Sequence, residues 1–269
     1  MAAFGGHCMS AHRISANRRQ WLESRLSERD RLVLDWVARL RLATGQQLEQ
    51  LAFDDLSPSS LPVVRGRVLR RLVDWNLLEL VDRRVGGSAK GSASGIYRLT
   101  AAGHAIALPA AARPTRPYTD RFTAHTIATS QLAADLVLAL RRHPDYQLAT
   151  YVTEPASWMP DGLGNYLKPD AYLRLQSASL TMHWWVEIDL GSESLPALER
   201  KLRNYLGFVA RGLGGPSGTV PRVVLVVTSD GRLEAVTTLL RRLPYPATDL
   251  FTVCLSGRAV VTLLAAFDE

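Results

Sequence analysis

Between Ser27 and Ala107 the apolar residues recur three times at helical spacing and then change to short strand-like runs. Leu32, Val33, Trp36, Val37 and Leu40 share one helical face behind Ser27, whose hydroxyl suits an N-cap. Thr44 and Gln47 have capping-box spacing and open a short helix holding Leu48 and Leu51. After the break Phe53–Ser60 a third helix is predicted over Leu61–Trp75. Pro62 stands in its first turn, where no amide donor is needed. Leu77–Arg84 reads as a strand, Gly86–Gly95 as a Gly/Ser/Lys loop and Ile96–Leu99 as a second strand. Thr100 then caps a helix running through Ala107.

A Pro/Ala/Arg-rich stretch, Pro109–Asp120, interrupts this pattern as a linker does. Beyond it the periodicity predicts a helix over Phe122–His143 and strands over Leu148–Thr153, Asp170–Gln176 and Thr181–Leu190. A helix over Leu195–Ala210, a strand over Arg222–Thr228 and a helix over Leu233–Arg242 follow. Phe251–Phe267 reads as a last strand with a tail. The order αβββαβα implies a mixed sheet flanked by helices. The expected division is therefore 1–26 as an N-terminal tail or leader helix, 27–108 as one domain, 109–120 as linker and 121–269 as a second domain.

Charge sharpens the contrast between the two halves. The net charge is +7, but residues 1–116 hold 18 Lys/Arg against 10 Asp/Glu, and residues 117–269 hold 14 against 15. Clustered cations neutralise backbone phosphates, so basic charge confined to one module points to nucleic acid more than an overall excess does. On the third helix Leu61, Val64, Val68, Leu69, Leu72 and Trp75 gather on one face. Arg67, Arg70 and Arg71 lie opposite, with Arg65 beside the apolar stripe. Arg83, Arg84 and Lys90 belong to the hairpin that follows. Solvation of a helix face is the plain alternative for these arginines. The order α-α-α-β-wing-β-α resembles the winged helix-turn-helix family, which implies that Arg65, Arg67, Arg70, Arg71, Arg83, Arg84 and Lys90 contact double-stranded DNA.

In the second domain Lys168-Pro169-Asp170, Glu187-Ile188-Asp189, Gly191-Ser192-Glu193 and Lys201 with Tyr205 carry the candidate chemistry. Strand alternation puts Glu187 and Asp189 on one face, and a hairpin pairing would bring Asp170 to the sheet end beside them. Convergent carboxylates are costly to bury unless protonated, paired or neutralised by a cation. Their hard oxygens suit Mg²⁺ or Mn²⁺, which could activate water against a phosphodiester. An exposed edge strand is the bland reading of Glu187 and Asp189, but Trp184, Trp185, Val186 and Ile188 argue for a buried strand. Glu193 reads equally as a ligand or as a charge favoured at a helix N-terminus. Lys201 lies about 80° around its helix from the centre of the apolar stripe, which permits reach to the strand edge. Of the lone histidines, His125 is singled out by its place near the start of the helix after the linker.

The arrangement resembles the PD-(D/E)xK nuclease superfamily: Pro169-Asp170 matches the first acidic motif and Glu187 the first position of the second. Asp189 stands where that superfamily usually has lysine, and in several branches the lysine comes from the following helix, where Lys201 is the candidate. The resemblance implies Asp170, Glu187, Asp189 and Lys201 as catalytic and Asp170, Glu187, Asp189 and Glu193 as metal-binding, with Mg²⁺ or Mn²⁺ as cofactor. The layout as a whole resembles the replication-relaxation family of plasmids and integrative elements, which overlaps the MOB-C class of relaxases. The resembling segments are Tyr97-Arg98-Leu99-Thr100-Ala101-Ala102-Gly103, the proline linker and Lys-Pro-Asp…Glu-Ile-Asp-Leu-Gly-Ser-Glu…Lys-Leu-Arg-Asn-Tyr. It implies action on a plasmid or element origin region in replication, relaxation or transfer, as a nickase or, alternatively, a noncatalytic regulator. A homodimer is a further expectation.

Other chemistries find no support. Cys8 and Cys254 sit at opposite ends without metal or redox spacing, and His7, Cys8 and His12 read as a frayed terminus. Gly212–Gly218 lacks the Lys-Ser/Thr ending of a phosphate loop, and neither a Gly-x-Ser-x-Gly elbow nor a His-hydrophobe-His triplet occurs. Neither a leader peptide nor a bilayer-length apolar run is read, so the cytoplasm is the expected compartment.

Overall fold

A computed structural model describes residues 14–83, 95–108 and 120–267. The chain is an α/β protein that divides into two units, Met1–Tyr118 and Thr119–Glu269. The first unit contains α1 (Ala16–Glu23), α2 (Glu28–Leu40), β1 (Ala43–Thr44), α3 (Gly45–Ala52), α4 (Leu61–Asp74), β2 (Leu78–Arg83), β3 (Gly95–Leu99) and α5 (Ala101–Ala107). The second contains α6 (Asp120–Leu140), β4 (Gln147–Thr153), β5 (Met159–Pro160), β6 (Tyr166–Leu167), β7 (Ala171–Gln176), β8 (Thr181–Asp189), α7 (Leu195–Ala210), β9 (Arg222–Val227), α8 (Asp230–Leu240), α9 (Ala247–Leu250), β10 (Phe251–Leu255) and α10 (Ala259–Ala265).

Side-chain caps start α1, α2, α3 and α5. Ser27 and Asp30 form a reciprocal capping box on α2, as Thr44 and Gln47 do on α3. Asp30 is fully buried: its Oδ2 accepts from the Ser27 amide and hydroxyl, and its Oδ1 accepts from Arg71 Nη2 at 2.6 Å. β1, β3 and β2 form an antiparallel sheet in that order. Thr100 caps α5 through the Gly103 amide and donates to the Asn76 carbonyl. Gly103 is dictated by backbone contact, because a Cβ there would lie 2.0 Å from the Leu77 oxygen. The segment before Ser27, read as tail or leader helix, includes α1, whose cap is Ser15.

The second unit is built on a five-stranded sheet of order β10-β9-β8-β7-β4. β10, β9 and β8 run parallel, with β7 and β4 antiparallel beside them. α7 and α8 cover one face, burying Trp185, Leu202, Phe208, Leu225 and Val236 in a single cluster. The opposite face buries Leu173, Trp184, Val186 and Val224, with α6 packed along β4 and β8. The Tyr151 hydroxyl of β4 donates to the Thr129 carbonyl of α6.

Three features differ from the sequence reading. A two-stranded ribbon, β5–β6, lies between β4 and β7, α9 precedes β10, and the expected tail after β10 is a 3₁₀ turn followed by α10. Two-residue strands are too short to show alternation, and the Ala259–Phe267 apolar run fits a helix docked on α6.

Candidate functional site

On β8 the side chains of Trp185, Glu187 and Asp189 share the α7 face, while Trp184, Val186 and Ile188 take the other. Ala171 pairs with Val186, so Asp170, one residue before β7, stands opposite Glu187. The Asp170 amide donates to the Val186 carbonyl at 3.0 Å, and the Ile188 amide donates to Asp170 Oδ2 at 2.7 Å. His125, on α6, brings its Nε2 to 2.9 Å from the same oxygen. Both carboxylates are buried.

Lys201 and Tyr205 lie one turn apart on α7, so both can meet the same point on the strand. Lys201 Nζ pairs with Glu187 Oε2, and the Tyr205 hydroxyl donates to Glu187 Oε1. Burial pushes the Glu187 carboxyl up to about 8, although Lys201 pulls it down. Burial acts the same way on Asp170, but there Lys201 and His125 outweigh it, and its carboxyl is held below the usual range. Burial opposes the charge of Lys201, yet the Glu187 and Asp170 carboxyls raise its ammonium above the ordinary value. The site therefore combines an ionised Asp170, a Glu187 able to hold a proton near neutral pH and a cationic Lys201.

Asp189 turns to a different partner, whereas the Glu193 charge acts on Lys201 and helps to raise its ammonium. Asp189 Oδ2 accepts from Arg232 Nε at 2.6 Å, and Arg232 Nη2 donates to the Glu193 carbonyl at 2.8 Å. Arg232, in the first turn of α8, thus ties down the acidic residue that stands in the lysine position. Among the described residues no three His, Cys, Asp or Glu side chains converge as a metal cage would. Asp170 and Glu187 are the carboxylates that a hard cation of the Mg²⁺ type would take, and Lys201 and Tyr205 would have to yield Glu187 to it. The Ile188 amide and His125 both meet Asp170 at Oδ2.

The arginines of α4 divide. Arg65 is buried and pairs with Glu49, and Arg71 pairs with the buried Asp30. Arg67 and Arg70 are exposed and, with Pro62, Gly66, Arg71 and Tyr97, line an open cavity of about 850 Å³. Arg83 ends β2; Arg84 and Lys90 lie outside the described residues, as do His7, Cys8, His12 and linker residues 109–119. Sequence reasoning set Tyr205 beside Lys201 without assigning it a task, and it missed Arg232. Tyr205 had a signal in its one-turn spacing from Lys201, whereas Arg232 lies 43 residues from Asp189 with no local pattern joining them.

A family model described as Replication-relaxation matches residues 34–223. No curated protein and no solved structure matches the chain. Among the described residues no helix is long and apolar enough to cross a membrane.

Proposed function

The chain belongs to the replication-relaxation family, and from that premise we propose that it binds double-stranded DNA through a winged-helix first unit and nicks it with a divalent-cation site in the second. The observation that carries this reading is the placement of Asp170 opposite Glu187 with Lys201 drawn in from α7. The PD-(D/E)xK pattern needs two acids and a cation at one sheet end, and the helix lysine supplies what Asp189 does not. Mg²⁺ or Mn²⁺ held by Asp170 and Glu187 would activate water and offset phosphate charge.

The protein's own groups have separable tasks. Asp170, kept ionised by Lys201 and His125, presents a fixed anionic oxygen. Lys201 places positive charge where negative charge grows on the phosphate as the water oxygen adds and the P–O bond to the leaving oxygen breaks. Tyr205 and the Ile188 amide orient the two acids. In the first unit Arg67 and Arg70 are the α4 cations available to DNA, while Arg65 and Arg71 hold the helix in place. The test is conversion of supercoiled plasmid carrying the element's origin to open circle, with and without Mn²⁺.

A second reading, a noncatalytic regulator using the second unit as a platform, is favoured by one observation: Glu187 already has Lys201 and Tyr205 as partners. Calorimetry separates the two. Absence of Mg²⁺ or Mn²⁺ uptake together with intact sequence-specific DNA binding supports the regulator.

A further inference from the structure

The β5–β6 ribbon leads directly into the acid site and carries side chains that the nicking chemistry does not use. Tyr166 is 54% exposed, and Leu163 at the ribbon tip is 67% exposed. The centres of the Trp158 and Tyr166 rings lie 6.4 Å apart with the rings at 45°, and the Lys168 ammonium sits 4.8 Å from the centre of the Trp158 ring. Lys168 is exposed and precedes Asp170 by two residues. An exposed aromatic ring beside a cation is what stacks a nucleobase and meets its phosphate.

The ribbon is also held in place. Leu167 is buried in the α7-side core, and Met159 pairs with Leu167. Asp161 Oδ1 accepts from the Leu163 and Asn165 amides at 2.8 and 3.0 Å, and Arg211 Nε donates to the Asp161 carbonyl at 2.9 Å. Ser157 Oγ donates to the Pro169 carbonyl at 2.6 Å, tying the base of the ribbon to the segment that presents Asp170. A platform fixed before binding loses little freedom when a ligand arrives.

We propose that this ribbon binds single-stranded DNA, with a base stacked on Tyr166 beside Trp158, its phosphate at Lys168 and the strand led toward Asp170. Base faces are covered by their neighbours in a duplex, so an exposed ring selects unpaired nucleotides. The positive charges of Lys168 and Arg211 complement the strand backbone. The inference rests on the nicking reading and deepens it by giving that site a strand to hold.

The experiment uses the full chain in EDTA, so that binding is measured without cleavage, with fluorescein-labelled oligothymidylate and a duplex of the same length as probes. Y166A is expected to weaken oligothymidylate binding about tenfold while Y166F stays near wild type. K168A is expected to reduce the salt slope by about 0.7, the loss of one phosphate contact on a single strand. Duplex binding by Y166A is expected to match wild type. Wild-type affinity for oligothymidylate in Y166A, an equal loss on duplex and single strand, or no oligothymidylate binding by the wild-type chain would each overturn the proposal. Plasmid nicking by the wild-type chain judges the underlying reading separately.

Discussion

Lys201 reaches from α7 to the Glu187 carboxylate on β8 and pairs with it, so the helix provides the cation at a sheet end where Asp189 leaves the strand acidic. The pairing is consistent with burial: Glu187 is 2% exposed, and an unpaired charge there would be costly. K201A is expected to lower nicking by at least about a hundredfold, the scale for removing one group that stabilises transition-state charge. Circular dichroism shows whether the variant is folded, and duplex DNA binding is expected to be unchanged.

The raised Glu187 carboxyl makes stability depend on pH. Its value rises from 4.5 to about 8 on folding, so between those values the folded state holds a proton that the unfolded state has released. The contribution is fully present below about 4.5 and is lost as pH climbs through about 8. Wild type is therefore expected to lose stability across this window relative to E187Q, by up to about 1.4 kcal/mol per pH unit. Urea unfolding of both proteins at a series of pH values measures it.

The α4 arginines are expected to separate into two classes. R67A and R70A should each lower the salt slope of duplex binding by about one while leaving folding unchanged. R71A strips the buried Asp30 of its cation and should cost about 2–3 kcal/mol of stability. Fluorescence anisotropy over a salt series, with thermal melting alongside, distinguishes them.

Arg232 is expected to act through stability. R232A leaves the buried Asp189 carboxylate without its ion pair and should cost about 3 kcal/mol. R232A combined with D189N should recover part of that loss, because no unpaired charge remains. Denaturant midpoints of the single and double variants measure the coupling.

Much of this was legible in the chain. The caps at Ser27, Thr44 and Thr100 are local signals, and the structure places each at the start of its helix. Strand alternation predicted the shared face of Glu187 and Asp189, and helical geometry left Lys201 within reach of the strand edge. What the pattern could not show was long-range choice of partner. Arg65 and Arg71 look like their neighbours on α4, yet Glu49 and Asp30 draw them inward. Asp189 looks like a third ligand until Arg232 arrives from a distant helix. β5–β6 left no trace because its strands are two residues long.

The most direct measurement is nicking of supercoiled origin plasmid by wild type, D170A, E187A and D189N, each confirmed folded. Open-circle product from wild type and D189N in Mn²⁺, with none from D170A or E187A and none in EDTA, is the predicted result. Undiminished nicking by both D170A and E187A would contradict the assignment of this site.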